Sequence, residues 1–231
     1  MSDAKTLAKS TAISARANLK TAARGKATNG GRIREKNRQK IIQAAEQIFA
    51  QKGFSGATTQ AIAELSKLPK ANVHYYFGTK AALYKAVIAN ILDLWLSATN
   101  DLKDDSDPRQ AMESYIRAKV MLSKNRPLAS RIFANEVISG APVIKDVLRT
   151  ELRDWVLEKR AVMDRWSRAG LMDPVDPVHL LFMIWASTQT YADFESQVVA
   201  VLDEKKMTAE DYDRAADTIV HVILKGCGII K

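Results

Sequence analysis

Three side chains in the last quarter of the chain have the types and spacing of a small-molecule site. Trp185, Thr188 and Gln189 stand at i, i+3 and i+4, on one face of a helix. An indole offers a stacking plane, and a Gln amide offers one acceptor and two donors, a match for the imide edge of a planar heterocycle. Trp95, with Leu92 beside it, could close the other side. The same tryptophans also suit an ordinary core, and Gln189 suits a subunit interface as well as a pocket. An amide inside an otherwise apolar run favours the pocket, because a buried amide needs a partner.

A second stretch has the chemistry of nucleic-acid contact. Lys70-Ala71-Asn72-Val73-His74-Tyr75-Tyr76 mixes a cation, an amide, an imidazole and two phenols, all able to donate to phosphates or base edges. Nothing comparable points to catalysis. His74, His179 and His221 are far apart and adjoin no metal-ligand spacing, and HExxH, GxSxG, GxxxxGK[ST] and GxGxxG are all missing. Asp104-Asp105 sits in a polar linker and reads as a solvated loop. The expectation is a protein that is not an enzyme and carries no metal or cofactor.

Charge supports the nucleic-acid reading. The chain has 231 residues and a net charge of +9. Eleven basic residues against Asp3 and Glu35 put all of that excess in the first 40 residues. Such an arm suits a polyanionic partner, nucleic acid or an anionic surface, or else serves solubility. Residues 1 to 33 hold few large apolar side chains, so a disordered basic arm is expected there. Its low acid content also resembles a mitochondrial transit segment, a reading the rest of the chain opposes. A single cysteine, Cys227, suits a reducing compartment, and cytoplasmic localisation beside the nucleoid is expected. The longest uncharged run, Pro177 to Ala192, is 16 residues, short of the roughly 20 that a membrane span needs.

The elements that must position these groups read as helices almost throughout. Ile41, Ala45, Ile48 and Phe49 form one helical face, ended at Gly53. Thr58 or Thr59 caps a short second helix, and Pro69 opens a third from Lys70 to Tyr76. A long fourth helix from Lys80 to about Thr99 carries Leu83, Val87, Ile91 and Trp95 on one side. Asp107-Pro108, Arg126-Pro127 and Asp176-Pro177 start later helices, the last running to about Leu202, and a final helix begins at Ala209. The sum is an all-α fold of nine helices. The stripe Tyr212, Ala216, Ile219, Val220 and Ile223 is the candidate dimer face, with packing inside the monomer as the alternative.

The two short helices from Thr58 to Tyr76, broken at Ser66-Lys67-Leu68-Pro69, make a helix-turn-helix pattern. With Ile41-Ile42-Gln43-Ala44-Ala45, Gly53-Phe54, Ile62-Ala63 and Tyr75-Tyr76-Phe77-Gly78-Thr79-Lys80-Ala81-Ala82-Leu83-Tyr84, the stretch from Arg38 to Lys80 resembles the DNA-binding domain of the TetR family of bacterial transcription regulators. The resemblance implies DNA contact by Thr58, Thr59, Gln60, Lys70, Ala71, Asn72, His74, Tyr75, Tyr76 and Lys80, with Tyr75 and Lys80 on phosphates. The turn departs from the family: Lys67 stands where glycine is usual, Pro69 where a Ser or Thr cap is usual, and His74 where Tyr is frequent.

The second half also carries a likeness, in Ile91 to Leu96, Tyr115-Ile116-Arg117, Ser130-Arg131-Ile132-Phe133, Gly140-Ala141-Pro142 and above all His179 to Phe194. These segments resemble the pyrimidine-utilisation regulators of that family. The likeness implies a homodimer that binds a pseudo-palindromic double-stranded DNA operator as a repressor, and a free pyrimidine base such as uracil that releases it. It implies a ligand set of Leu92, Trp95, Phe133, Trp185, Thr188 and Gln189. The expected domains are the arm at 1–33, the DNA-binding domain at 34–80 (to about 95 with the start of the linking helix), and a ligand-binding and dimerisation domain at 81–231, with no membrane partner. A sequence-indifferent nucleoid or scaffold protein is the rival, separable by whether binding needs a defined palindrome.

Overall fold

The computed structural model describes residues 29–97, 102–103 and 106–230; most of the expected basic arm and the Asp104-Asp105 pair lie outside these residues. Among the described residues the chain is helical, with no strand. Helix α1 is Asn29–Gly56, α2 Thr59–Ser66, α3 Lys70–Phe77 and α4 Lys80–Ser97. Helix α5 is Pro108–Asn125 and α6 Pro127–Ile138. Lys145–Val147, a π turn at Leu148–Leu152 and Arg153–Arg168 run on as one rod, α7. Helix α8 is Pro177–Asp193, α9 Glu195–Leu202 and α10 Ala209–Gly226.

The starts follow local chemistry. Asp107 accepts from the Arg109 amide at 3.0 Å, and Asp176 accepts from Val178 and His179. Thr208 and Asp211 form a reciprocal capping box. Gly53, at φ 64° and ψ 178°, breaks the helical path of α1. Two boundaries differ from expectation. Helix α1 already begins at Asn29, inside the expected arm, and Glu35 supports that extension by pairing with Arg38 at 3.7 Å and Gln39 at 2.8 Å. The helix expected to run from Pro177 to Leu202 divides at Phe194, so the described residues form ten helices rather than nine. Arg131 Nε donates to the Ala192 carbonyl at 3.0 Å and the same guanidinium pairs with Glu195, occupying a carbonyl that a continuous helix would need.

Two apolar cores form. One joins Ile41, Ile42, Phe49, Ile62, Val73, Leu83 and Ile91 to Ala129, Ile132, Ala141 and Ile144 from α6 and the loop beyond it. The other packs α5, α7, α8 and α10 through Met112, Tyr115, Met163, Trp166, Leu181, Ile184 and Leu224. The first core therefore crosses the expected boundary at 80–95. Helix α4 is not alone in linking the two halves, because α1 also packs against α6, and Glu46 pairs with Arg126 at 2.7 Å. The candidate dimer stripe lies inside the second core: Tyr212, Ala216, Ile219, Val220 and Ile223 are all buried in the monomer. An amphipathic face declares that something covers it, and here α5 and α8 supply the cover.

Candidate functional site

The reading helix α3 is anchored by Val73, its buried residue, and presents Lys70, Ala71, His74 and Tyr75 to solvent with Asn72 and Tyr76 half-buried. Pro69 precedes it with φ −54°, already suited to helix entry but without a side-chain cap. His74 Nδ1–H donates to the Gly78 carbonyl at 3.1 Å, which fixes the ring at the end of α3. In the supporting helix, Thr58 accepts from the Ala61 amide, Thr59 is half-buried, and the Gln60 amide donates to Glu64. Lys67 takes the left-handed conformation, φ 56°, at the end of α2, the position where glycine is expected.

Two arginines not foreseen for this surface flank α3. The Arg34 guanidinium lies 5.7 Å above the Tyr75 ring and Arg38 lies 5.7 Å above Phe77. The basic stretch before Ile41 was the signal, but only the start of α1 at Asn29 brings its end beside the reading helix. Lys80, expected on a phosphate, is held by groups of its own chain in the structure. Its ammonium donates to the carbonyls of Phe54 at 2.8 Å, Ala57 at 3.0 Å and Ser55 at 3.4 Å, and lies 4.7 Å above the Phe54 ring. All three of its donors are therefore engaged at the end of α1, where helix carbonyls lack partners.

The ligand set partly converges. Leu92, Trp95, Phe133, Trp185 and Gln189 line one cavity of about 40 Å³, together with Leu96, Tyr115, Lys119, Leu152 and Trp155. It lies at the seam of the two cores, with Trp95 and Phe133 edge-to-face at 4.7 Å on one side. Trp155 and Trp185, with ring centres 6.1 Å apart, stand on the other. Trp185 Nε1 donates to the Tyr115 hydroxyl at 2.7 Å, and burial raises the Tyr115 phenol well above its usual range while that bond opposes the shift. Thr188 does not join them. It is fully buried, and its hydroxyl donates to the Ile184 carbonyl four residues back at 2.7 Å.

Sequence reasoning missed Lys119, 4% exposed, whose ammonium lies 4.6 Å above the Trp95 ring. Desolvation pushes it down to about 8, partly opposed by Asp193. The signal was present, since Lys119 falls four residues after Tyr115 on the apolar stripe of α5. Asp193 itself is raised by burial, against the pull of Ser130, Lys119 and Arg131, and accepts from the Ser130 hydroxyl at 2.6 Å.

Side-chain contacts tie the head to the cavity region. Phe54 and Tyr84 are 5.0 Å apart beneath Lys80, and the Tyr84 hydroxyl donates to Glu136 at 3.1 Å. Glu136 also accepts from the Val143 and Ile144 amides, which fixes the loop leading into α7. Among the described residues no His/Cys/Asp/Glu group could hold a metal ion, and no helix is long and apolar enough to cross a membrane.

Residues 41–87 match the family described as bacterial regulatory proteins, tetR family, and residues 88–230 match the YcdC-like protein C-terminal region. The chain is 40% identical over 201 residues to the HTH-type transcriptional regulator RutR of Escherichia coli strain K12, covering 86% of this chain and 95% of that protein. Among solved structures, the fold is similar to the transcriptional regulator SCO4942 from Streptomyces coelicolor, with a TM-score of 0.67, 24% identity, and 84% and 99% of the two chains covered. A tetR-family regulator from Rhodococcus RHA1 is similar at a TM-score of 0.68 and 20% identity, covering 85% of this chain and 99% of that one.

Proposed function

The chain belongs to the tetR family of bacterial regulatory proteins, and from that premise we propose that it is a homodimeric repressor released from its operator by a pyrimidine base such as uracil. The gene class it would control is pyrimidine and nitrogen catabolism, by likeness to RutR. The observation that carries the reading is the position of the cavity. Helix α4 begins at Lys80 beneath the reading head and gives Leu92 and Trp95 to the cavity wall.

About 40 Å³ holds roughly three waters, which a planar six-membered heterocycle would replace while bearing on the walls of α4 and α8. Trp95 on α4 and Trp185 on α8 would sandwich the ring, with Gln189 at its imide edge. Displacing α4 tilts the reading heads. A dimer needs its two α3 helices roughly 34 Å apart, or a multiple of that, to hold both half-sites. Turning a 99:1 population to 1:99 takes about 5.5 kcal/mol, a little under ~3 kcal/mol from each of two pockets.

With the α10 stripe buried, the dimer face moves to the exposed apolar residues Phe182 and Met183 of α8, Phe194, Val201 and Leu202 around α9, and Val222 of α10. The experiment is a titration of uracil by calorimetry, with and without operator DNA. Micromolar binding that weakens on DNA is expected, and Gln189→Ala should keep the operator but lose the response. No heat with any pyrimidine would leave the DNA-binding role standing and hand the pocket to an unrelated small molecule.

A further inference from the structure

The cavity wall is unequal in its hydrogen-bonding groups. Lys119 brings an ammonium with three donors, Gln189 an amide with two donors and one acceptor, and Tyr115 a hydroxyl whose oxygen already accepts from Trp185 and whose proton is left to donate. No carboxylate is among the residues that line the space. Lys119 is the outlier. It is 4% exposed, and among the described residues its ammonium meets the face of Trp95 but makes no hydrogen bond or ion pair. Its nearest influence of opposite sign, Asp193, acts through the field and is itself bonded by Ser130. A buried ammonium without an acceptor is unfavourable, and the cavity is the side from which an acceptor can come.

We propose that Lys119 makes this pocket selective for a planar heterocycle carrying an anionic oxygen, an acidic ring system, over a neutral ring of the same shape. The inference rests on reading the cavity as the effector site and names the ligand's charge. An anionic oxygen within reach of the ammonium makes a charge-assisted bond and neutralises the cation, whereas a neutral carbonyl accepts the bond but leaves the charge uncompensated. The Tyr115 hydroxyl and the Gln189 amide then serve a second and third acceptor of the same ring. The downward shift of Lys119 to about 8, set by burial and only partly opposed by Asp193, agrees with a cation short of partners among the side chains around it.

The test compares uracil with barbiturate, its 6-oxo relative, which is an anion at neutral pH, by calorimetry on the full chain at pH 7. The wild-type chain should bind barbiturate at least about tenfold more tightly than uracil, and Lys119→Met should bring the two within about twofold. Equal or weaker binding of barbiturate by the wild-type chain overturns the proposal without any variant. A preference that survives in Lys119→Met overturns it too. If the wild-type chain binds neither compound, the pyrimidine reading of the pocket falls and takes this proposal with it. Binding of both without discrimination removes only the charge selectivity.

Discussion

Replacing Lys80 by methionine separates two roles that one ammonium could play. In the structure that ammonium bonds three carbonyls at 2.8, 3.0 and 3.4 Å and covers the Phe54 ring at 4.7 Å. Methionine keeps the length of the chain and removes every donor. A hydrogen bond to a charged group contributes about 1.5–3 kcal/mol, and the longest of the three adds little. Lys80 is half-buried, which reduces each term, but the Ala57 residue it serves is 2% exposed and gains no water in exchange. The net loss should be about 2–3 kcal/mol, or roughly 5–10 °C in Tm for a chain of this size. Urea unfolding should give the same loss through the midpoint with an unchanged slope. The companion assay is operator affinity against salt. If phosphate contact dominated, the slope of log K on log salt would fall by about one while stability held. A Tm within about 1 °C of wild type, together with that reduced slope, would refute the staple role and restore the phosphate role.

Lys67→Gly should stabilise the chain by about 0.5–1 kcal/mol, because φ 56° strains a residue with a Cβ; equal or lower stability in urea would contradict this. Arg34→Gln with Arg38→Gln should flatten the operator salt slope by about two units while leaving Tm close to wild type, and an unchanged slope would remove both from the DNA surface. Lys119 gives a pH test. Folding moves it from an ordinary 10.5 down to about 8, so between these values the unfolded chain binds more protons and stability rises with pH. Lys119→Met should therefore be more stable than wild type below about pH 8, by on the order of 3 kcal/mol, with the gap closing toward pH 10. A gap that does not vary with pH would count against the buried charge.

Features set by neighbours in sequence were legible before any coordinates. Asp107-Pro108 and Asp176-Pro177 mark helix starts because the cap bonds two or three residues ahead. Trp185 and Gln189 could be paired because helical spacing alone sets their common face. Thr188 shared that spacing, yet its hydroxyl turns to its own helix, a habit of threonine that sequence reasoning could have weighed. Lys80 could not be read in this way. Its partners lie 23 to 26 residues earlier, and only tertiary folding brings the carbonyls of Phe54 and Ala57 to it. The stripe on α10 was rightly seen as a face to be covered, but periodicity does not say by which neighbour. Lys119 went unremarked because a lysine among apolar residues usually reaches solvent, and here α4 and α8 close over it.

The shared core bears on how regulators of this design can be recombined. Ala129, Ile132, Ala141 and Ile144 complete the packing of a head whose own helices end at Phe77. A chimera spliced at residue 80, or at 95, would cut through that packing and ask a foreign α6 to fill the same volume. Exchange of sensing modules would then depend less on the linker than on the shape of one helix more than thirty residues downstream. A graft that carries α6 and Glu136 with the head keeps the bond to Tyr84, and the seam that must be re-matched moves to the aromatic cavity.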